Sequence, residues 1–164
     1  MNENNLVYIT DDGYVLPTRI SIKSAIVNYG GECLNIFIIA VDVSEKNQIV
    51  LSSLNEIRKN VTVTVINKDD AYNELGVSHF YVSSAALYKF QLPKIFPDIS
   101  KILYVDGDTV FMKDWEKIYG YNLDGCYGAA VRDMNCEVDG KWNELLGLNY
   151  YYNSGVMLLN LELM

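Results

Sequence analysis

The chain has 164 residues, 50% of them hydrophobic and 21% charged, the composition of one globular domain rather than of a disordered segment. Lys and Arg number 13 against 21 Asp and Glu, and the resulting −8 argues against a chain-wide phosphate-binding surface and so against non-specific nucleic-acid binding. The apolar run Leu34–Val41 is broken by Asn35 and falls far short of the ~20 residues a membrane span needs. The opening MNENNLVYIT lacks the basic and apolar regions of a signal peptide. Cys33, Cys126 and Cys136 form an odd set without CxxC, which suits a reducing compartment, and a cytoplasmic location is expected.

Two periods alternate along the chain. LVYIT (6–10) reads as a buried strand ended by the turn signal Asp11-Asp12-Gly13. Pro17 lies in the first turn of a helix with Ile22, Ile26 and Tyr29 on its inner face and Gly30-Gly31 at its end. LNIFIIAV (34–41), apolar on both faces, reads as a central strand. Ser44 is placed to cap a second helix whose inner stripe is Val50, Leu54 and Ile57. VTVTVI (61–66) follows as a strand, and the β-α-β-α-β order predicts a parallel sheet with right-handed crossovers. Farther on, SSAALYKFQL (83–92) reads as a helix stopped by Pro93. KILYV (101–105) is a strand, and TVFM (109–112) a short one. YGAAV (127–131) and GVMLLNL (155–161) read as two further buried strands. His79 stands before the third helix as a cap or a site residue, and Trp115 and Trp142 are expected to cover the sheet.

In such a sheet, chemistry collects at the carboxyl ends of strands. Three ends carry acids: Asp11-Asp12, Asp106 with Asp108, and Asp133. Neither a P-loop nor GxGxxG follows the first strand, which excludes the common phosphate-binding loops. Asp106 and Asp108, two apart in extended chain, would face one side and could share a hard divalent cation. With 12 Asp in the chain, about one Asp-x-Asp arises by chance, and Asp-Gly between apolar runs is also a hairpin signal. An EF-hand loop is excluded, since Val110 takes its third ligand position. ILYVDGDTV also resembles the first motif of haloacid-dehalogenase-type phosphatases, but no Lys and later acidic pair complete that set.

Four segments in order, VYITDDGY, HFYVSSAALYKFQLPKIFP, KILYVDGDTVFMKDWEKIYGYNLDG and YYYNSGVMLLNLELM, resemble the family 8 glycosyltransferases, which include glycogenin and bacterial lipopolysaccharide galactosyl- and glucosyltransferases. The resemblance implies an α/β fold of the GT-A type, a Rossmann-like, mostly parallel sheet flanked by helices. It implies retaining transfer of glucose or galactose from UDP-glucose or UDP-galactose to a saccharide acceptor, lipopolysaccharide or another glycan, with Mn²⁺ or Mg²⁺. By position, Thr10, Asp11, Gly13 and Tyr14 match the uracil and ribose pocket, with Asp11 on the base and Tyr14 stacking. Gly13 stands where the family often has Asn. Asp106 and Asp108 match the metal-holding Asp-x-Asp around Gly107, and Asp106 also approaches the sugar. Lys89 takes the place of a frequent Arg near the donor, keeping the charge without the bidentate fork. Asp133 and Asn153-Ser154-Gly155 match segments lining the donor sugar and acceptor. Asp106, Asp133 and Asn153 are thus the expected catalytic groups.

In that family a histidine beyond the NSGV-type strand completes the metal site, and this sequence stops at Met164. The expectation is a single domain over 1–164 that is incomplete at its C-terminus. Residues 1–105 would form the nucleotide-binding half, and 106–164 the metal site and the start of the donor-sugar and acceptor half. Self-association or a partner would supply the rest, and a full-length form would sit peripherally at the inner membrane. The alternative is a non-catalytic remnant that binds UDP-sugar.

Overall fold

The computed structural model describes residues 3–69, 84–134, 147 and 150–164. His79, Trp142, Cys136 and the start of the predicted third helix lie outside these residues. The elements are β1 (Glu3–Asp11), α1 (Val15–Asn28), β2 (Cys33–Val41), α2 (Glu45–Ser52), β3 (Val61–Lys68), α3 (Leu92–Ile95), β4 (Lys101–Val105), β5 (Gly128–Arg132) and β6 (Tyr152–Asn160), with 3₁₀ turns at 12–14, 53–56, 84–91 and 115–120.

The six strands form one sheet in the order β3-β2-β1-β4-β6-β5. β1, β2, β3 and β4 run parallel, and β6 runs antiparallel to both β4 and β5. The chain moves outward from β1 to β3, then returns to β4 on the other side of β1. The order therefore reverses between β1 and β4, and a crevice opens there at the carboxyl ends.

Alternation divides the strands between two cores. Leu6, Tyr8, Ile36, Ile38, Leu103 and Val105 pack with Ile22 and Ile26 of α1 on one face. Val7, Ile9, Ile39, Ile102 and Tyr104 pack with Tyr88 and Leu92 on the other. β1, β2 and β4 read as apolar runs because both faces are covered, whereas the edge strand β3 alternates, with Val61 and Val63 buried and Thr62 and Thr64 exposed. Each fully buried Leu or Ile contributes about 1.5–3 kcal/mol.

The α/β, mostly parallel architecture expected from the sequence is present, with local corrections. TVFM is not a strand, because Thr109 donates back to the Asp106 carbonyl at 3.0 Å and the Phe111 amide donates to Ser24 Oγ of α1 at 2.9 Å. The hairpin reading of Asp106-Gly107-Asp108 falls with it. Pro93 does not stop the third helical segment, since it sits in the first turn of α3, where its missing N–H is not needed. The buried residues here are Leu51 of α2 and Leu54 of the 3₁₀ turn that follows it, while Ile57 is 40% exposed. The 3₁₀ turn at 53–56, with three residues per turn, rotates Ile57 off the stripe. Ser44 is the N-cap of α2, yet its side chain caps nothing and donates instead to Asp12. β5 is exposed throughout rather than buried, because it is the edge strand and pairs only with β6. β6 begins three residues earlier than expected, so Asn153-Ser154-Gly155 lie inside a strand. Trp115 does cover the sheet, with its ring 4.6 Å from Phe111 and its indole N–H donating to the Ala25 carbonyl at 3.1 Å.

Candidate active site

The end of β1 turns sharply. Asp11 Oδ1 accepts the Tyr14 amide at 3.0 Å and so closes the 3₁₀ turn that aims Tyr14 across the crevice. The Tyr14 hydroxyl then donates to Asp108 Oδ2 at 3.0 Å, joining two strand ends that lie 94 residues apart. That hydrogen bond, with the Asp108 charge behind it, pushes the Tyr14 phenol above its ordinary pKa.

The second strand end is held from three sides. The Asp106 amide donates to the Gly155 carbonyl of β6 at 2.8 Å. Its carboxylate Oδ1 accepts the Tyr104 hydroxyl at 2.5 Å and the Lys89 ammonium at 3.2 Å. Lys89 also donates to the Ser154 carbonyl at 3.1 Å and stands 4.5 Å from the centroid of the Tyr104 ring. Burial, followed by the Asp106 charge, drives the Tyr104 phenol far upward, so it is a permanent donor.

Gly107 has no room for a side chain. A Cβ there would run into Thr18 Oγ1, whose hydroxyl lies 2.8 Å from the Tyr14 carbonyl. The turn that carries the two aspartates is thus seated directly on the first turn of α1. Asp106 and Asp108 converge through this turn and not, as the sequence suggests, through extended chain.

These groups open onto a cleft of about 560 Å³, within the usual range for small-molecule sites. Thr10, Asp11, Tyr14, Lys89, Gly107 and Ser154 line it together with Asp106 and Asp108, and Ile9, Leu87, Phe90, Met157 and Leu159 form an apolar wall. Gly13, Asp133, Asn153 and Gly155 are not in that lining. Gly13 is exposed in the 3₁₀ turn, and Asp133 follows β5 with its amide on the Tyr151 carbonyl at 2.9 Å. Asn153 Oδ1 accepts the Gly155 amide at 2.8 Å. Gly155 backs the site, because a Cβ there would stand 2.9 Å from Asp106 Oδ2.

Asp12, beside the site, does structural work. Its Oδ1 accepts the Ser44 amide, the Ser44 hydroxyl and the Asn47 amide group, each at 2.8 Å, and ties the β1 turn to the start of α2. These bonds, the Ser44 amide foremost, hold its carboxyl below the ordinary range.

The donor set suits a hard divalent cation. Mg²⁺ or Mn²⁺ is held by one or two carboxylates together with substrate phosphate oxygens, and Asp106 and Asp108 supply two. Among the described residues no group of three or more His, Cys, Asp or Glu is arranged around a metal. Glycine at 155 keeps side-chain atoms away from Asp106 Oδ2.

The sequence profile of glycosyl transferase family 8 matches residues 5–164, taking in both strand ends and the NSG segment of β6. The chain belongs to glycosyl transferase family 8. This assignment displaces the phosphatase reading of ILYVDGDTV. Among curated proteins, the lipopolysaccharide 1,2-glucosyltransferase of Escherichia coli is 28% identical over 168 residues, covering 96% of this chain and 48% of that protein. Glycosyltransferase GlyB of Streptococcus pneumoniae is 24% identical over 162 residues, covering 99% of this chain and 37% of that protein. The chain thus spans about half or less of the length of such relatives. The solved structure of galactosyltransferase LgtC, in complex with donor and acceptor sugar analogs, superposes with a TM-score of 0.82 at 21% identity, covering 96% of this chain and 58% of that one. That likeness establishes the fold as the one this family uses.

Tyr104 and Thr18 are the site residues that the sequence did not single out. A signal for Tyr104 exists: it is the one polar-tipped residue in the apolar run ILYV (102–105), and it stands two residues before Asp106, on the same face. Thr18 carries no such signal, because only folding brings it under Gly107. Among the described residues, no helix is long and apolar enough to cross a membrane.

Proposed function

We propose that this chain forms the nucleotide-sugar-binding part of a retaining hexosyltransferase that moves glucose or galactose from a UDP donor to a saccharide acceptor. The reading is carried by the meeting of two strand ends in one cleft, Tyr14 on Asp108 at 3.0 Å, in a family 8 chain. The LgtC structure with donor and acceptor sugar analogs and a lipopolysaccharide glucosyltransferase among the relatives support the substrate class. Residues 1–105 take the nucleotide, and 106–164 take the metal, the donor sugar and one side of the acceptor.

In this reading Asp11 offers a carboxylate to the N–H of uracil, and the half-exposed Tyr14 ring is the stacking surface, with Thr10 and Gly13 beside the base and ribose. Asp106 and Asp108 hold Mn²⁺ or Mg²⁺. When bound, the ion supplies Lewis-acid stabilisation of the charge that grows on the departing UDP. Lys89, aimed along Asp106 and Ser154, adds a cation at the donor. Retention proceeds on one face of the sugar through an oxocarbenium-like state. Asp106 is the candidate catalytic group inside the cleft, while Asp133, Asn153 and Gly155 border the donor sugar and acceptor from the β5–β6 side.

Calorimetry with UDP and Mn²⁺ tests the assignment. Folded protein should bind UDP more tightly with Mn²⁺ than without it, and Asp108→Ala should erase that difference. UDP that produces no heat, or an Asp108→Ala variant that keeps the metal-dependent gain, would refute the site. Donor hydrolysis or transfer, compared between this chain and a longer clone, separates an enzyme from a non-catalytic UDP-sugar-binding remnant.

A further inference from the structure

Tyr104 is 2% exposed, so its hydroxyl must find a partner inside the protein. The partner is Asp106 Oδ1 at 2.5 Å, a charge-assisted bond at the short end for O–H···O⁻. The same ring lies beneath Lys89 Nζ at 4.5 Å, and that ammonium reaches the same oxygen at 3.2 Å. One side chain therefore touches both charged groups of this wall of the cleft, the carboxylate through its hydroxyl and the ammonium through its face. Oδ1 is committed to protein donors, and Oδ2 is turned towards the Gly155 backbone.

We propose that Tyr104 is a positioning residue whose hydroxyl locks the Asp106 carboxylate in the orientation that receives a divalent cation, so that it sets metal affinity, while its ring sets the place of Lys89. The proposal rests on the reading of Asp106 and Asp108 as the metal-holding pair. A group hydrogen-bonded to a ligating carboxylate fixes its torsion, and loss of such a partner costs about 10–100-fold in metal affinity. Lys89 alone does not replace it, since an ammonium on a flexible stem leaves the carboxylate free to turn. The competing account is that the bond merely satisfies a buried hydroxyl, in which case its removal leaves metal affinity unchanged.

Paramagnetic resonance of free Mn²⁺, with and without UDP, measures this directly on the chain and on Tyr104→Phe, Asp106→Asn and the double variant. Tyr104→Phe should melt close to the parent, bind UDP normally without metal, and lose about 10–100-fold in Mn²⁺ affinity. In the Asp106→Asn background the same change should cost nothing further, because the two residues act as one unit. A Mn²⁺ affinity within twofold of the parent overturns the proposal, and so does an equal loss in both backgrounds. If Tyr104→Phe does not fold, ¹³C-tyrosine spectra of the parent decide: the Tyr104 Cζ resonance should move as Mg²⁺ saturates, and one that stays fixed overturns the proposal. A parent that takes up no Mn²⁺ even with UDP brings down the metal-site reading itself, and the role of Tyr104 with it.

Discussion

Gly107→Ala is the sharpest perturbation of the fold beneath the cleft. The added methyl meets Thr18 Oγ1 head-on, with Thr18 Cβ at 3.2 Å and its backbone Cα at 3.3 Å. Thr18 is fully buried, and its hydroxyl is engaged at the Tyr14 carbonyl, so it has no empty space to enter. Overpacking of this kind costs about 1–3 kcal/mol. For a chain of this length that corresponds to about 2–12 °C in melting temperature. Removing Oγ1 through Thr18→Ala clears the worst contact but leaves the two at 3.2 and 3.3 Å, so the double variant should recover part of the loss and not all of it. Differential scanning calorimetry of the four proteins gives the cycle. Mn²⁺-dependent UDP affinity should fall with Gly107→Ala as well, because the displaced turn carries both aspartates. A Gly107→Ala protein that melts within 1 °C of the parent, or a double variant whose losses simply add, would refute the seating of the turn on α1.

Asp12→Ala should lower the melting temperature at neutral pH, and the gap from the parent should close in acid. The folded carboxyl titrates below its unfolded value of about 3.9, so its contribution is complete above that value and vanishes as the pH falls through the lower folded one. A gap constant across acid pH would show that the charge at Asp12 does not hold the start of α2. Leu51→Ala should cost about 2–5 kcal/mol in urea unfolding, and Ile57→Ala much less, because Leu51 is fully buried and Ile57 is 40% exposed. Equal losses at the two positions would restore the stripe read from helical spacing.

Elements whose register depends only on neighbours were legible in the sequence. β1, β2 and β4 announce themselves because burial on both faces demands apolar runs, β3 by the alternation of Val with Thr, and Ile22 and Ile26 mark the inner face of α1 by spacing alone. The acids at the strand ends were legible too, since a parallel sheet places its chemistry there. Local signals failed where a distant partner captured the chain. TVFM has the residues of a strand, but Ser24 of α1 takes its Phe111 amide. Ser44 has the residue type of a cap, but Asp12 takes its hydroxyl. YGAAV reads as buried, yet β5 forms an edge, and edge position is a property of the whole sheet.

By itself, then, the sequence determined the α/β alternation, the family, and the identity of the acids at the ends of β1 and β4. Tertiary structure alone decided that Tyr14 reaches Asp108 across 94 residues, that Thr18 makes glycine obligatory at 107, and that Tyr104 grips Asp106 beneath Lys89. The physical reason is range. Periodicity and turn chemistry are written in neighbouring residues, whereas a hydrogen bond of about 3 Å or a collision with a methyl group depends on where folding puts residues that are far apart in the chain.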